Sequence, residues 1–152
     1  MRPGVWHWEA DFGQRRAVTP RVGQAVRVDA ATVRAMLTQH FEFAASDPER
    51  AHAMYHDDAV LEFPQAGERF VAVENMKEWR AAYPAETSVE FREVRGEGDF
   101  WVAEVSITYD GGPPNLGVTI LEFRDERIAR ESIYVTERWE APESRAHWRA
   151  VP

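Results

Sequence analysis

The sequence predicts an α+β domain in which a curved antiparallel sheet folds over helices. Helical periodicity is gathered towards the N-terminus, and strand-like stretches separated by turn residues follow it. The resulting order is helix, helix, strand pair, helix and then four strands, which suits hairpins laid over helices.

Each element has its own signal. From Ala30 to Ala45, the residues Val33, Leu37, Phe41 and Ala44 share one helical face, and Asp29 is placed to cap it. Ser46-Asp47-Pro48-Glu49 restarts a helix. Either Asp47 caps it with Pro48 at the first helical position, or Ser46 and Glu49 form a capping box. That helix is expected to bury Ala51, Met54 and Tyr55 and to end near His56. Ala59 to Phe63 reads as a strand, Gln65 to Glu68 as a turn, and Arg69 to Ala72 as its returning partner. Glu74 to Tyr83 presents Met76, Trp79 and Tyr83 on one helical face and stops at Pro84. Strands are then expected over Ser88 to Arg95, Phe100 to Tyr109 and Leu116 to Phe123, with turns at Gly96 to Asp99 and Asp110 to Pro114. A last strand runs from Arg127 to Arg138, after a turn, Asp125-Glu126-Arg127, that lacks the usual glycine.

This divides the chain into an arm of low regular structure over residues 1–28, a domain over 29–140 and a tail over 141–152. The arm carries Trp6, Trp8 and Phe12. The tail carries Trp148, with a short helix expected after Pro142.

Composition narrows the functional classes. At 152 residues the chain holds one domain with a real core. Hydrophobic content of 44% and charged content of 29% fit a globular protein. A net charge of −8 argues against nucleic acid and anionic membranes as partners, because phosphate binding needs clustered Lys and Arg. The absence of cysteine excludes thiolate metal sites and Cys nucleophiles. No apolar run is long enough for a membrane span, and the start has no apolar signal-like region, so a cytoplasmic location is expected. Gly96-Glu97-Gly98 lacks the βαβ setting of a nucleotide loop. His52, His56 and Asp57 or Asp58 have metal-like spacing but lie opposite Ala51, Met54 and Tyr55 with no evident third ligand, so neither metal nor cofactor is expected; the Asp pair is expected to end the helix and pair with nearby Lys or Arg.

Three stretches, MYHDDAVLEFPQAGERFVAVENMKEW, FWVAEVSITYDGGPP and ILEFRDERIARESIYV, resemble the nuclear transport factor 2-like superfamily in its SnoaL-like branch. The resemblance spans about Ala30 to Trp139. It implies a cone of curved sheet closed by three helices around a pocket, and a homodimer through the outer sheet face. Its members include isomerases, polyketide cyclases, dehydratases, epoxide hydrolases and binding proteins, so function must come from the site. Where ketosteroid isomerases carry their general-base Asp, this chain has Phe63, and the matching tyrosine donor falls at Gln39. Where limonene-epoxide hydrolases carry their middle-strand Arg and Asp and last-strand Asp, it has Val105, Ile107 and Thr136. The hydrolase match points Glu62 into the pocket, whereas the isomerase match points Phe63 there; a one-residue shift in register separates the two.

A carboxylate in an apolar pocket is suited to proton transfer near neutral pH, which makes Glu62 the candidate acid or base. By the hydrolase resemblance, Ile128, Arg130, Ser132, Tyr134 and Thr136 face inward with it. Tyr134, with His40 or Arg130, would then polarise an oxygen or orient the acid. The alternative is that Glu62 faces water and Arg130 pairs with Glu131 on the surface. Tyr55, Phe63, Trp79, Trp101, Val105, Ile107, Tyr109 and Arg130 are the expected pocket residues. Two functions stand side by side: an acid–base enzyme acting on a small, mostly apolar molecule, and a non-catalytic binding or dimerisation module.

Overall fold

A computed structural model describes residues 28–150, so the arm expected over residues 1–28 lies, apart from Val28, outside the described residues. Helix α1 (Ala30–Phe43) begins where the Asp29 carboxylate accepts a hydrogen bond from the Thr32 amide at 2.8 Å. Helix α2 (Pro48–His52) is capped by Asp47, which accepts from the Arg50 amide at 3.1 Å; of the two caps open in the sequence, this one forms. The helix is shorter than expected. Tyr55 and His56 open strand β1 (Tyr55–Phe63) instead of closing a helix, because the Met54 carbonyl already accepts from the Ile128 amide at 2.8 Å in the sheet.

β1 turns back as β2 (Glu68–Val71), and Ala72, at a φ of 72°, swings the chain into α3 (Val73–Ala81). Four strands follow: β3 (Thr87–Glu97), β4 (Phe100–Tyr109), β5 (Asn115–Arg124) and β6 (Arg127–Thr136). The tail holds a short 3₁₀ helix, Glu143–Trp148, whose Trp148 is exposed.

The strands form one sheet in the order β2-β1-β6-β5-β4-β3. Its hairpin pairs are antiparallel, and β1 meets β6 in parallel at the seam between the two hairpin groups. Register shifts interrupt β1, β3 and β6, and such bulges bend and twist a sheet. Along β4, Trp101, Ala103, Val105 and Ile107 are buried on one face, while Val102, Glu104, Ser106 and Thr108 on the other are only partly buried. The helices cover the first face. Val33 and Leu37 of α1 and Val73 and Met76 of α3 pack with Ala59, Leu61, Leu121, Phe123 and Ile128 into the core. Each large side chain buried there contributes roughly 1.5–3 kcal/mol.

The bulge in β6 decides which of its side chains face inward. Glu122 pairs with Arg130 and Phe123 with Ile128, so Ala129 is the extra residue. The parity of the strand changes there. Ile128 is buried, and beyond the bulge the inward residues are Glu131, Ile133 and Val135.

Candidate active site

The inner face of the sheet, α3 and the end of α1 enclose a cavity of about 540 Å³. An aromatic series lines one side. Phe63 meets Trp79 edge-to-face with centroids 5.4 Å apart, Trp79 meets Tyr83 at 5.7 Å, and Tyr83 meets Tyr109 at 6.2 Å. Val105, Ile107, Ile133 and Val135 supply the sheet side, with Phe41 from α1. The polar and charged groups of the lining are Arg80, Glu86, Thr87, Thr119 and Glu131.

Glu131 lines the cavity, is 4% exposed, and gathers Thr119 and Arg80 of the lining around it; Glu86 and Thr87 are polar lining residues away from this group. The Tyr55 hydroxyl donates to its Oε2 at 2.5 Å, and the Thr119 hydroxyl donates to its Oε1 at 2.7 Å. The Arg80 guanidinium lies with Nη2 3.8 Å from Oε2, and its buried Nε has no hydrogen-bond partner among the described residues. Each carboxylate oxygen accepts more than one hydrogen bond, so Glu131 retains acceptor capacity on the cavity side. Burial, then the Glu131 charge, hold the Tyr55 phenol well above its ordinary pKa, so it stays protonated as the donor.

Behind this group lie two buried imidazoles. The His40 Nδ1–H donates to the Ala51 carbonyl at 2.7 Å and the His52 Nδ1–H to the Pro48 carbonyl at 2.8 Å. A carbonyl only accepts, so each ring keeps its proton on Nδ1, and each bare, buried Nε2 has no partner among the described residues. The rings meet edge-on at 5.0 Å, and each lies 5.9 Å from the Tyr55 ring. Burial and the Arg80 charge push His40 well below the ordinary imidazole range, and burial lowers His52 in the same direction.

The predicted site residues fall into three places. Phe63, Trp79, Val105, Ile107 and Tyr109 line the cavity. Tyr55, His40 and Trp101 are buried behind its walls; Trp101 donates from Nε1 to the Gly98 carbonyl at 2.9 Å within the core. Glu62, Arg130 and Tyr134 stand on the opposite face of the sheet. There Arg130 donates to Glu62 at 2.8 Å, Arg69 lies 3.4 Å from Glu62, and Tyr134 is 39% exposed. The inward placement of these three is therefore corrected. Leu61 is fully buried, so its neighbour Glu62 points out, and the Ala129 bulge turns Arg130 and Tyr134 out with it. Asp57 and Asp58 lie within β1, not at a helix end, and pair with Arg127 at 3.7 Å and Arg124 at 2.5 Å. Among the described residues no cluster of three His, Asp or Glu is placed to hold a metal, and no helix is long and apolar enough to cross a membrane.

Sequence reasoning missed Glu131, Thr119 and Arg80 as site residues. A signal for Glu131 was present: it shares parity with Ile133 and Val135, the apolar set of the last strand. Thr119 alternates in the same way with Gly117 and Leu121.

Residues 33–131 match the family model for the SnoaL-like domain. The chain belongs to that family. A similar solved structure is an NTF-2 like protein of unknown function from Burkholderia xenovorans, with 34% identity, covering 79% of this chain and 94% of that one, at a TM-score of 0.69. A ketosteroid isomerase candidate from Kribbella flavida shares 25% identity over 82% of this chain and 93% of its own, also at 0.69. A polyketide cyclase candidate from Sinorhizobium meliloti, at 22% identity over 70% of this chain and all of its own, has a TM-score of 0.59 and shows the same fold. Among curated proteins nothing matches the sequence.

Proposed function

We propose that this SnoaL-like chain is an acid–base enzyme acting on a small, mostly apolar molecule that carries a carbonyl, with Glu131 as the proton carrier. One observation carries the reading: a carboxylate, 4% exposed, on the wall of an apolar cavity and held by two hydroxyl donors. Glu131 removes a proton from a carbon beside the carbonyl. The C–H electron pair moves onto the carbonyl oxygen as an enolate, and the proton now on Glu131 returns to the same or another carbon. The Arg80 guanidinium, beside Glu131, offers positive charge to the oxygen on which negative charge develops. Tyr55 and Thr119 hold the carboxylate in one orientation. The isomerase description of the Kribbella flavida relative supports this class of chemistry.

The test is deuterium incorporation next to the carbonyl of 2-tetralone in D₂O, followed by NMR. The wild type is expected to accelerate exchange, and Glu131→Gln to slow it by about 10²–10⁴-fold, the usual contribution of a positioned base. Equal rates in the two proteins, both folded, would remove Glu131 from the chemistry.

A second reading rests on the same atoms. Both oxygens of Glu131 are already engaged and Arg80 lies beside it, an arrangement that also serves a non-catalytic binding module. Binding of 2-tetralone without accelerated exchange would favour it. In either case we propose pairing of two copies through the outer sheet face, where Val102, Ile120 and the exposed Tyr134 lie beside paired charges. Sedimentation giving a monomer at micromolar concentration would oppose this.

A further inference from the structure

We propose that Gly117 sets the size of molecule the cavity admits; the inference rests on the reading of that cavity as a ligand site. Gly117 lies on the inner face of β5, between Val105 of β4 and Val135 of β6 in the pairing register. All three line the cavity. The backbone of Gly117 lies outside the left-handed region, so its conformation does not call for glycine. Gly67, Gly98 and Gly111 are the opposite case: each has a positive φ and open space where a side chain would go.

Space is what Gly117 provides. A Cβ there would lie 2.7 Å from Cγ2 of Val105 and 3.1 Å from Cδ1 of Ile107. Both side chains that line this wall lean over the bare main chain of β5. Valine is stiff about χ1, and Val105 cannot swing aside without moving its other methyl. Alanine at 117 would fill the notch and drive Val105 and Ile107 towards the aromatic side. The notch lies two residues before Thr119, the hydroxyl that holds Glu131, so the lost room adjoins the polar end of the cavity. A small ligand would still reach Glu131, whereas a long or fused-ring ligand would lose the floor it rests on.

The experiment measures dissociation constants by NMR titration for cyclohexanone, 2-tetralone and fluoren-9-one on the wild type, Gly117→Ala and Gly117→Ala/Val105→Ala. Gly117→Ala is expected to bind cyclohexanone as the wild type does and to weaken fluoren-9-one by at least about tenfold, the scale of a methylene misfit in an apolar pocket. Removing the Val105 methyls is expected to restore the larger ketone. Equal weakening of all three ketones, no weakening of any, failure of the double variant to recover, or no binding to the wild type would each overturn the proposal. Misfolding of Gly117→Ala would show as loss of cyclohexanone binding together with a collapsed NMR spectrum, and would equally overturn it. Size-graded binding with no catalysed exchange of 2-tetralone would leave Gly117 in its role while ending the acid–base reading. Catalysed exchange with ungraded binding would do the reverse.

Discussion

The Tyr55 hydroxyl donates to the Glu131 carboxylate at 2.5 Å, joining the first residue of β1 to an inward residue of β6 across their parallel seam. The Thr119 hydroxyl from β5 completes the clamp. Three strands thus fix one carboxylate. Tyr55→Phe keeps the packing and deletes one donor to a buried charge, which costs about 1–3 kcal/mol. Urea denaturation of this variant should show a loss of that size, and exchange of 2-tetralone should slow because Glu131 loses its fixed orientation. An unaltered stability would mean that the phenol and the carboxylate do not depend on each other.

Glu62 provides the contrast within the same protein. It stands on the outer face, joined to Arg130 and Arg69, and all three side chains are partly open to water. Exposed pairs of this kind are worth about 0–1 kcal/mol. Glu62→Gln should therefore cost less than about 1 kcal/mol and leave 2-tetralone exchange near the wild-type rate. A large loss of exchange in Glu62→Gln, with Glu131→Gln little affected, would reverse the assignment of the two carboxylates.

The two glutamates also show how far the sequence carries. The α+β order, the caps at Asp29 and Asp47, and the apolar face of β4 are local patterns of period and capping, and these are legible in a single chain. Which face of β6 points inward depends on one extra residue, Ala129, that no periodic pattern announces. Before that bulge Ile128 is inside, and after it Glu131 is; strict alternation from Ile128 would place Arg130 and Tyr134 inside instead. Arg80 escaped for a different reason. It follows Trp79 near the end of α3, and only the packing of that helix beside β1 brings its charge near Glu131.

The turn between β5 and β6 yields a stability prediction. Asp125 and Glu126 both have left-handed backbones, with φ of 48° and 65°, as a two-residue hairpin turn of this hand requires. For an L-residue such a conformation costs roughly 1–2 kcal/mol, and glycine avoids it. Glu126 is exposed. Glu126→Gly should raise stability by about 0.5–1 kcal/mol in urea denaturation, once the greater freedom of glycine in the unfolded chain is subtracted. A loss of stability would mean that the Glu126 side chain contributes to the turn in some other way.

The buried imidazoles make stability depend on pH. His40 and His52 each spend their one proton on a backbone carbonyl, and burial holds both below the ordinary imidazole range. In the unfolded chain they titrate near pH 6.5. As pH falls through that value the unfolded state takes up protons first, so folding is progressively disfavoured until the lowered folded values are reached. The stability these groups contribute is full above about pH 6.5 and declines below it, by up to about 1.4 kcal/mol per pH unit for each ring. Melting temperatures should fall between about pH 7 and pH 5, and the His40 ring resonance of the folded protein should stay in its neutral position across that range. Replacing His40 with Gln, which can donate to Ala51 but does not titrate, should flatten the decline. A melting temperature independent of pH here, or a His40 resonance that titrates near pH 6.5 in the folded protein, would show that the ring is reached by water and protonates without opening the core.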